Sequence, residues 1–175
     1  MVKANFEKSE KIAKLSNEEL LKLDDENAVV IEIGIRLGEK CNCGDNLANL
    51  YDCEKQIYLA TTFEWELYSG GFESFFLQEY GNLFKETVEA LQELKLDRTL
   101  KIFEEIFKTL EDAPSDESLR DEFFHKILEE DPDFEKKISD AEALFYELPP
   151  SYMEHIKYEY IKNNEEKFKL YGRFN

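Results

Sequence analysis

Glycine and proline are scarce in this chain of 175 residues, which contains 7 glycines and 4 prolines. Glutamate, lysine, leucine and isoleucine, by contrast, are abundant, and these residues fit well into helices. A β-sandwich needs many short strands separated by turns rich in glycine and proline. The composition therefore argues against such a fold and favours a helical one.

Long apolar segments are also missing. The most apolar run, residues 28–37, already contains Glu32 and Arg36, whereas a membrane-spanning helix needs roughly 18 apolar residues. The amino-terminal segment MVKANFEKSEK lacks the apolar centre of a signal peptide. Three cysteines are an odd number, which does not suit a disulfide framework. We therefore expect a cytoplasmic protein.

The usual zinc ligands, cysteine and histidine, are few. Cys41, Cys43 and Cys53 combine a C-x-C pair with a third cysteine, but structural zinc usually takes four ligands with C-x2-4-C spacing. The only histidines, His125 and His155, lie far along the chain. We predict no metal and no cofactor, with a three-thiolate site completed by a distant group as the alternative.

The sequence also lacks the common signatures of catalytic and phosphate-binding sites. Its one adjacent glycine pair, Gly70-Gly71, has neither GxxxxGK[ST] nor GxGxxG spacing, and Glu66 and Glu73 flank it. No GxSxG turn is present, and acidic pairs are too numerous for one glycosidase-type pair to stand out. We therefore predict that the protein is not an enzyme and that the glycine pair ends a helix.

Negative charge is what the chain has in excess: 40 acidic against 22 basic residues give a net charge of −18. Such a charge disfavours binding to nucleic acids or anionic membranes. Residues 104–135 alone contain 13 acidic and 3 basic residues, which give −10. Ten of these acidic residues form the predicted partner-binding face, namely Glu104, Glu105, Glu111, Asp112, Asp116, Glu117, Asp121, Glu122, Glu129 and Glu130.

Two interpretations of this acidic region compete. One is a solvated helix surface that keeps the protein soluble. The other is a surface that imitates the phosphate backbone of DNA, because carboxylates one helical turn apart are separated by about 5–6 Å at Cβ. A basic groove that binds DNA could then accept this surface instead.

Apolar residues at helical spacing predict a single-domain, all-α bundle of about 8–10 helices over residues 1–175. Ser16 and Glu19 have the spacing of a capping box. The run AVVIEIGIRL is rich in β-branched residues, so a strand is the alternative to a helix there. A long helix is expected over residues 47–69, and a short one after the glycine pair.

The helix predicted near residue 120 contains part of the acidic region. Leu119, Phe123 and Ile127 are expected to form its buried side. The opposite side is expected to contain Asp121, Glu122, His125 and Glu129.

The stretch EWELYSGGFESFFLQEYGN resembles the signature of a bacterial family of small, acidic, all-helical proteins, a domain of unknown function whose characterised member is a DNA mimic. The matching residues are Glu66, Gly70, Gly71, Phe72, Phe75 and Phe76. Ser69 and Gln78 stand where the family usually has asparagine. The similarity covers about residues 47–169, and we expect the helices of residues 1–40 to pack on this core.

The resemblance implies an all-helical homodimer whose acidic face occupies the DNA-binding surface of a transcription regulator or another basic protein. The signature concerns folding rather than catalysis, so it implies no reaction. Two alternatives stay open: an intracellular immunity or antitoxin-like protein that neutralises a basic toxin, and a metal-binding protein that uses Cys41, Cys43 and Cys53.

Overall fold

The fold is built from α-helices joined by short turns. A computed structural model of the chain describes residues 9–149 and 151–170, except for the side chain of Glu79. These residues contain ten α-helices and no β-strand, which confirms the predicted all-α class. No helix within the described ranges is long and apolar enough to cross a membrane.

The helices follow one another closely along the chain. Their bounds are α1 at residues 9–13, α2 at Asn17–Leu20, α3 at Glu26–Lys40, α4 at Asp52–Leu77, α5 at Phe84–Glu93, α6 at Asp97–Ile102, α7 at Glu104–Thr109, α8 at Glu117–Glu130, α9 at Phe134–Tyr146 and α10 at Ser151–Asn163. The run AVVIEIGIRL lies within α3, so a helix and not a strand is correct there.

The chain divides into two compact units. The first, which we call the terminal unit, consists of the described residues of Met1–Tyr58 and Pro150–Asn175. The second, the acidic unit, is Leu59–Pro149. The predicted packing of residues 1–40 on a core at 47–169 stays a prediction, and residues 1–8 lie outside the described part of the chain.

The terminal unit has an aliphatic core that also contains buried charges. Helix α3 packs against α10, and the buried residues of α3 include Val29, Val30 and Ile33. In the same helix, Arg36 Nε donates a hydrogen bond to Glu32 Oε1 at 2.9 Å, with both side chains at most 4% exposed. These two opposite charges lie one turn apart, and each satisfies the other inside the core.

The acidic unit has a core made mainly of phenylalanine. The rings of Phe72 and Phe103 lie 5.5 Å apart, and those of Phe103 and Phe107 are also 5.5 Å apart. Ten phenylalanines of this unit are buried, namely Phe63, Phe72, Phe75, Phe76, Phe84, Phe103, Phe107, Phe124, Phe134 and Phe145. A buried aromatic ring removes a large apolar area from water, so these rings supply much of the stability of the unit.

The buried side of α8 differs from the prediction by one position. Leu119, which was expected in the core, is 54% exposed, and Phe123 is only half-buried. The buried residues are Arg120, Phe124 and Ile127, so the prediction is confirmed for Ile127 only. Their spacing of four and then three residues is equally helical. The prediction missed Arg120 because arginine is rarely found fully buried.

Candidate functional site

The negative charge of the chain is concentrated in the acidic unit. Residues Leu59–Pro149 include 24 acidic and 9 basic residues, which give a formal charge of −15. The ranges Met1–Tyr58 and Pro150–Asn175 include 16 acidic and 13 basic residues, which give −3. One compact unit therefore accounts for most of the net charge of −18.

All ten acidic residues of the predicted partner-binding face are exposed, and all lie in the acidic unit. They occupy α7, the loop at residues 110–116 and α8. The ten carboxylates therefore share one unit, but they are distributed over two helices and a loop. Glu105 reaches Lys137 of α9, whereas the neighbouring Glu104 lines a depression beside Val88 of α5.

Four of these ten carboxylates have a partner. Glu105 lies 2.6 Å from Lys137 Nζ, and Asp121 and Glu130 each lie 3.7 Å from a basic group of α8. The carboxylate of Asp116 accepts a hydrogen bond from the N–H of Leu119 and so caps α8. Within the described residues the other six form no ion pair, namely Glu104, Glu111, Asp112, Glu117, Glu122 and Glu129.

The exposed side of α8 agrees with the prediction. Asp121, Glu122, His125 and Glu129 are all exposed. Glu122 and Glu129 lie almost opposite the buried stripe, seven residues apart, which corresponds to roughly 10 Å along the helix axis. Two carboxylates at this interval on one rigid helix are available to a partner without first breaking an ion pair.

Lys137 links α7 to the turn between α8 and α9. Its Nζ lies 2.6 Å from Glu105 Oε1 and 2.9 Å from Asp131 Oδ2. Hydrogen bonds to Glu105 and then to Asp131 raise the pKa of Lys137 above its ordinary value. The hydrogen bond from Lys137 also lowers the pKa of Asp131. One lysine thus holds two carboxylates from different elements at fixed positions.

Arg120 is a buried cation below this acidic surface, and the sequence analysis did not single it out. Only 1% of Arg120 is exposed. Its guanidinium donates to the carbonyls of Phe76 at 2.6 Å, Gln78 at 2.8 Å and Ser115 at 2.7 Å. Burial lowers the pKa of Arg120, and nearby Glu117 partly opposes that effect.

The contacts of Arg120 explain why a neighbouring glycine is needed. A Cβ atom added to Gly81 would lie 1.8 Å from the carbonyl oxygen of Phe76 and 2.5 Å from Arg120 Nε. Because Gly81 has no side chain, the Arg120 guanidinium can reach the carbonyl of Phe76 near the end of α4. A cation at the carboxyl end of a helix also interacts favourably with the helix dipole.

The glycine pair of the signature makes a kink inside α4. Gly71 has φ 79° and ψ 179°, a conformation that interrupts the helix and suits only glycine. The N–H of the following Phe72 donates to Glu142 Oε1 at 2.6 Å. A Cβ atom on Gly71 would lie 2.7 Å from the same oxygen. Glu142 was not among the residues singled out by sequence, because its partner lies 70 positions away.

The other signature residues have packing positions. Phe72, Phe75 and Phe76 are buried, and the Phe72 ring stacks on that of Phe76 at 6.1 Å. Glu66 is half-buried and Gly70 is exposed. The prediction that the glycine pair ends a helix is confirmed, since the first part of α4 stops at the kink.

The three cysteines lie in the terminal unit. Cys41 and Cys53 are buried, and burial raises the pKa of each thiol, whereas Cys43 is exposed. A raised thiol pKa disfavours the thiolate, which is the form that binds metals. Across the described ranges, no group of three or more histidine, cysteine or acidic side chains is placed to hold a metal ion.

Fold and surface together define a class of protein: small, all-helical and acidic, with the charge concentrated in one compact unit. The sequence pattern of the DMP19-like protein family matches residues 48–164, and the chain belongs to this family. The match coincides with the region of about 47–169 over which the resemblance was seen. No curated protein and no solved structure matches the chain.

Proposed function

We propose that this protein is a non-enzymatic DNA mimic. In this proposal, the exposed carboxylates of the acidic unit occupy the DNA-binding surface of a basic protein such as a transcription regulator. The main support is that all ten predicted carboxylates are exposed in a unit of charge −15. Membership of the DMP19-like family is consistent with this role.

The proposed mechanism is competition for a basic surface. A protein that binds DNA places lysine and arginine side chains against closely spaced phosphates. Carboxylates of α8 such as Glu122 and Glu129 offer negative charge at helical intervals to the same side chains. Because the attraction is between exposed charges, the affinity should fall steeply as the salt concentration rises.

Rigid supports strengthen this proposal. Arg120 fixes the carbonyl of Ser115, directly before the first turn of α8, and Lys137 fixes Glu105. A surface that already has its bound shape loses less conformational entropy on binding.

The proposal also includes a homodimer, which the resemblance implies, and a cytoplasmic location, which the composition predicts. Size-exclusion chromatography with light scattering on the full chain measures the assembly directly. A mass near 20.7 kDa would correspond to a monomer and would contradict the dimer.

Charge reversal on α8 tests the main proposal. In the variant Asp121→Lys/Glu122→Lys/Glu129→Lys, we expect a loss of binding to basic proteins that the wild type retains from its own cell extract at low salt. The matched control Asp24→Lys/Glu159→Lys/Glu166→Lys changes the same number of exposed carboxylates in the terminal unit. We expect this control to keep its binding.

A competition assay then connects binding to mimicry. A retained DNA-binding protein, purified and bound to labelled duplex DNA, should be released by the wild-type chain and by the terminal-unit control. Release should disappear in the α8 variant. Retention of no nucleic-acid-binding protein at low salt, or equal competition by both triple variants, would contradict the proposal.

A further inference from the structure

A groove in the acidic unit combines apolar and acidic walls. It has a volume of about 540 Å³ and lies between the start of α5 and the loop that leads into α8. Pro114 and Leu119 line its apolar part. Around them lie the side chains of Glu86, Asp112 and Asp116.

Leu119 is one of the large apolar residues that the acidic unit exposes. Its side chain is 54% exposed, although it directly precedes the fully buried Arg120. The phase of α8 that buries Arg120 and Phe124 turns Leu119 outward. A phosphate backbone has no counterpart to an exposed leucine, so imitation of DNA does not explain this residue.

The walls of the groove are fixed by hydrogen bonds. Arg120 donates to the carbonyl of Ser115 at 2.7 Å, and the carboxylate of Asp116 accepts from the N–H of Leu119 at 3.0 Å. The N–H of Ala113 donates to the carbonyl of Leu110 at 3.0 Å. The loop that holds Pro114 and the first turn of α8, which holds Leu119, are therefore held in a defined arrangement.

The charge of the walls indicates what kind of segment fits. Three acidic residues, Glu86, Asp112 and Asp116, and one basic residue, Lys85, line the groove. An anionic or uncharged apolar segment would bring no basic group to these carboxylates. A segment with lysine or arginine beside an apolar side chain would pair with them and cover Leu119 at the same time.

We propose that this groove binds a basic helix of a partner protein by accepting one leucine-type side chain against Leu119 and Pro114. Lysine or arginine residues one turn away on that helix pair with Asp112 and Asp116. This inference rests on the proposed function and adds a source of specificity to it. Charge attracts basic surfaces in general, whereas the apolar contact selects those with a leucine in the right place.

Two synthetic peptides test the groove directly. Both are 18-residue helices of lysine and alanine, and they differ only at a central position, which is leucine in one and alanine in the other. Their dissociation constants for the full chain are measured by fluorescence anisotropy at low salt. Burial of part of a leucine side chain should make the leucine peptide bind about fivefold more tightly.

A matched pair of protein variants locates the preference. Leu119→Gln removes the apolar wall with a residue of similar size and helix propensity. Leu144→Gln makes the same change at another exposed leucine of the acidic unit, 53% exposed on α9. We expect the fivefold preference to disappear in Leu119→Gln and to remain in Leu144→Gln, with unchanged circular dichroism spectra in both.

The possible failures are distinct. Equal binding of both peptides to the wild type would overturn the groove proposal and leave the acidic surface intact as a binding site. A preference that survives Leu119→Gln would also overturn it, because the leucine would then bind elsewhere. Binding of neither peptide at low salt would remove the support for the proposed function itself.

Discussion

The two units of this protein use charged residues in opposite ways. In the terminal unit, opposite charges meet inside the core, as in the pair of Glu32 and Arg36 at 2.9 Å. In the acidic unit, the buried Arg120 is held by three backbone carbonyls, and the ten carboxylates of the predicted partner-binding face stay on the surface. The first arrangement neutralises charge, whereas the second leaves surface charge available to a partner.

The difference extends to the way each unit holds its backbone together. In the terminal unit, the buried carboxylate of Glu54 accepts hydrogen bonds from the N–H groups of Tyr51 at 2.9 Å and Lys169 at 2.8 Å. In the acidic unit, Glu142 accepts one such hydrogen bond, from the N–H of Phe72, and Arg120 adds a buried cation that donates to three carbonyls. A carboxylate used as an internal support is not available to a partner, so a cationic support suits the unit that displays acid.

Loss of Arg120 should have the largest effect on this comparison. Arg120→Met fills similar space but leaves the carbonyls of Phe76, Gln78 and Ser115 without their donor. The hydrogen bond to Phe76 is buried and its loss costs about 1–3 kcal/mol, whereas the other two are part-buried and add less. We therefore expect the free energy of unfolding to fall by roughly 3 kcal/mol. Urea denaturation followed by circular dichroism measures this change.

The control for Arg120 is the exposed Arg98 of α6 in the same unit. Arg98→Met makes the same chemical change at the surface and should cost less than about 1 kcal/mol. Equal losses of stability in the two variants would show that the hydrogen bonds of Arg120 to the three carbonyls add no stability of their own. The comparison between the units would then rest on surface charge alone.

Replacement of Gly71 should have the next largest effect. Gly71→Ala places a side chain at φ 79° and ψ 179°, and its Cβ would lie 2.7 Å from Glu142 Oε1. Strain of this kind costs about 1–3 kcal/mol before any clash is counted. The expected result is a loss of at least about 2 kcal/mol in urea denaturation.

Gly38 of the terminal unit offers the opposite result for the same substitution. A Cβ atom there would meet Tyr58 Cε2 at an ordinary 3.8 Å, inside the regular helix α3. Gly38→Ala should therefore raise the free energy of unfolding by about 0.5–1 kcal/mol. A similar loss in both variants would mean that the kink at Gly71 is not the source of the effect.

Removal of Lys137 should have the smallest effect, and this effect should depend on pH. The hydrogen bond from Lys137 lowers the pKa of Asp131 below its ordinary value of 3.8. The hydrogen bond between Lys137 and Asp131 therefore stabilises the folded protein at pH values above 3.8. This stabilisation is lost as the pH falls through the lower pKa that Asp131 has in the folded state. Lys137→Met should unfold at a lower temperature than the wild type at pH 6, with the difference shrinking towards pH 2.

Scanning calorimetry at several pH values between about 6 and 2 follows this difference. Lys136→Met is the matched control, because Lys136 pairs with the exposed Asp140 one turn away on the same helix. A difference for Lys137→Met that did not change with pH would indicate that Lys137 acts through packing and not through Asp131.

Sequence predicted those features that depend on local spacing. The helical class, the interruption at the glycine pair and the exposure of Glu122 and Glu129 follow from periodicity and from the conformations open to glycine. The acidic region could be counted directly. The family was visible in the short stretch around Gly70 and Phe72.

The features that sequence missed depend on contacts between distant residues. The partner of the Phe72 N–H is Glu142, and Arg120 meets carbonyls 42 and 44 positions away. No local pattern marks a surface-type residue as buried, so Leu119 was placed in the core instead of Arg120. The groove beside Leu119 could not be foreseen for the same reason.

The contact between Phe72 and Glu142 also has a consequence for how the protein is made. The two residues are 70 positions apart in the chain, so the kink cannot gain its partner until residue 142 has left the ribosome. Closing so long a loop costs entropy before the contact forms. By that time most carboxylates of the acidic unit have been synthesised, and they repel one another around a nascent phenylalanine core. We therefore expect the acidic unit to fold late in synthesis.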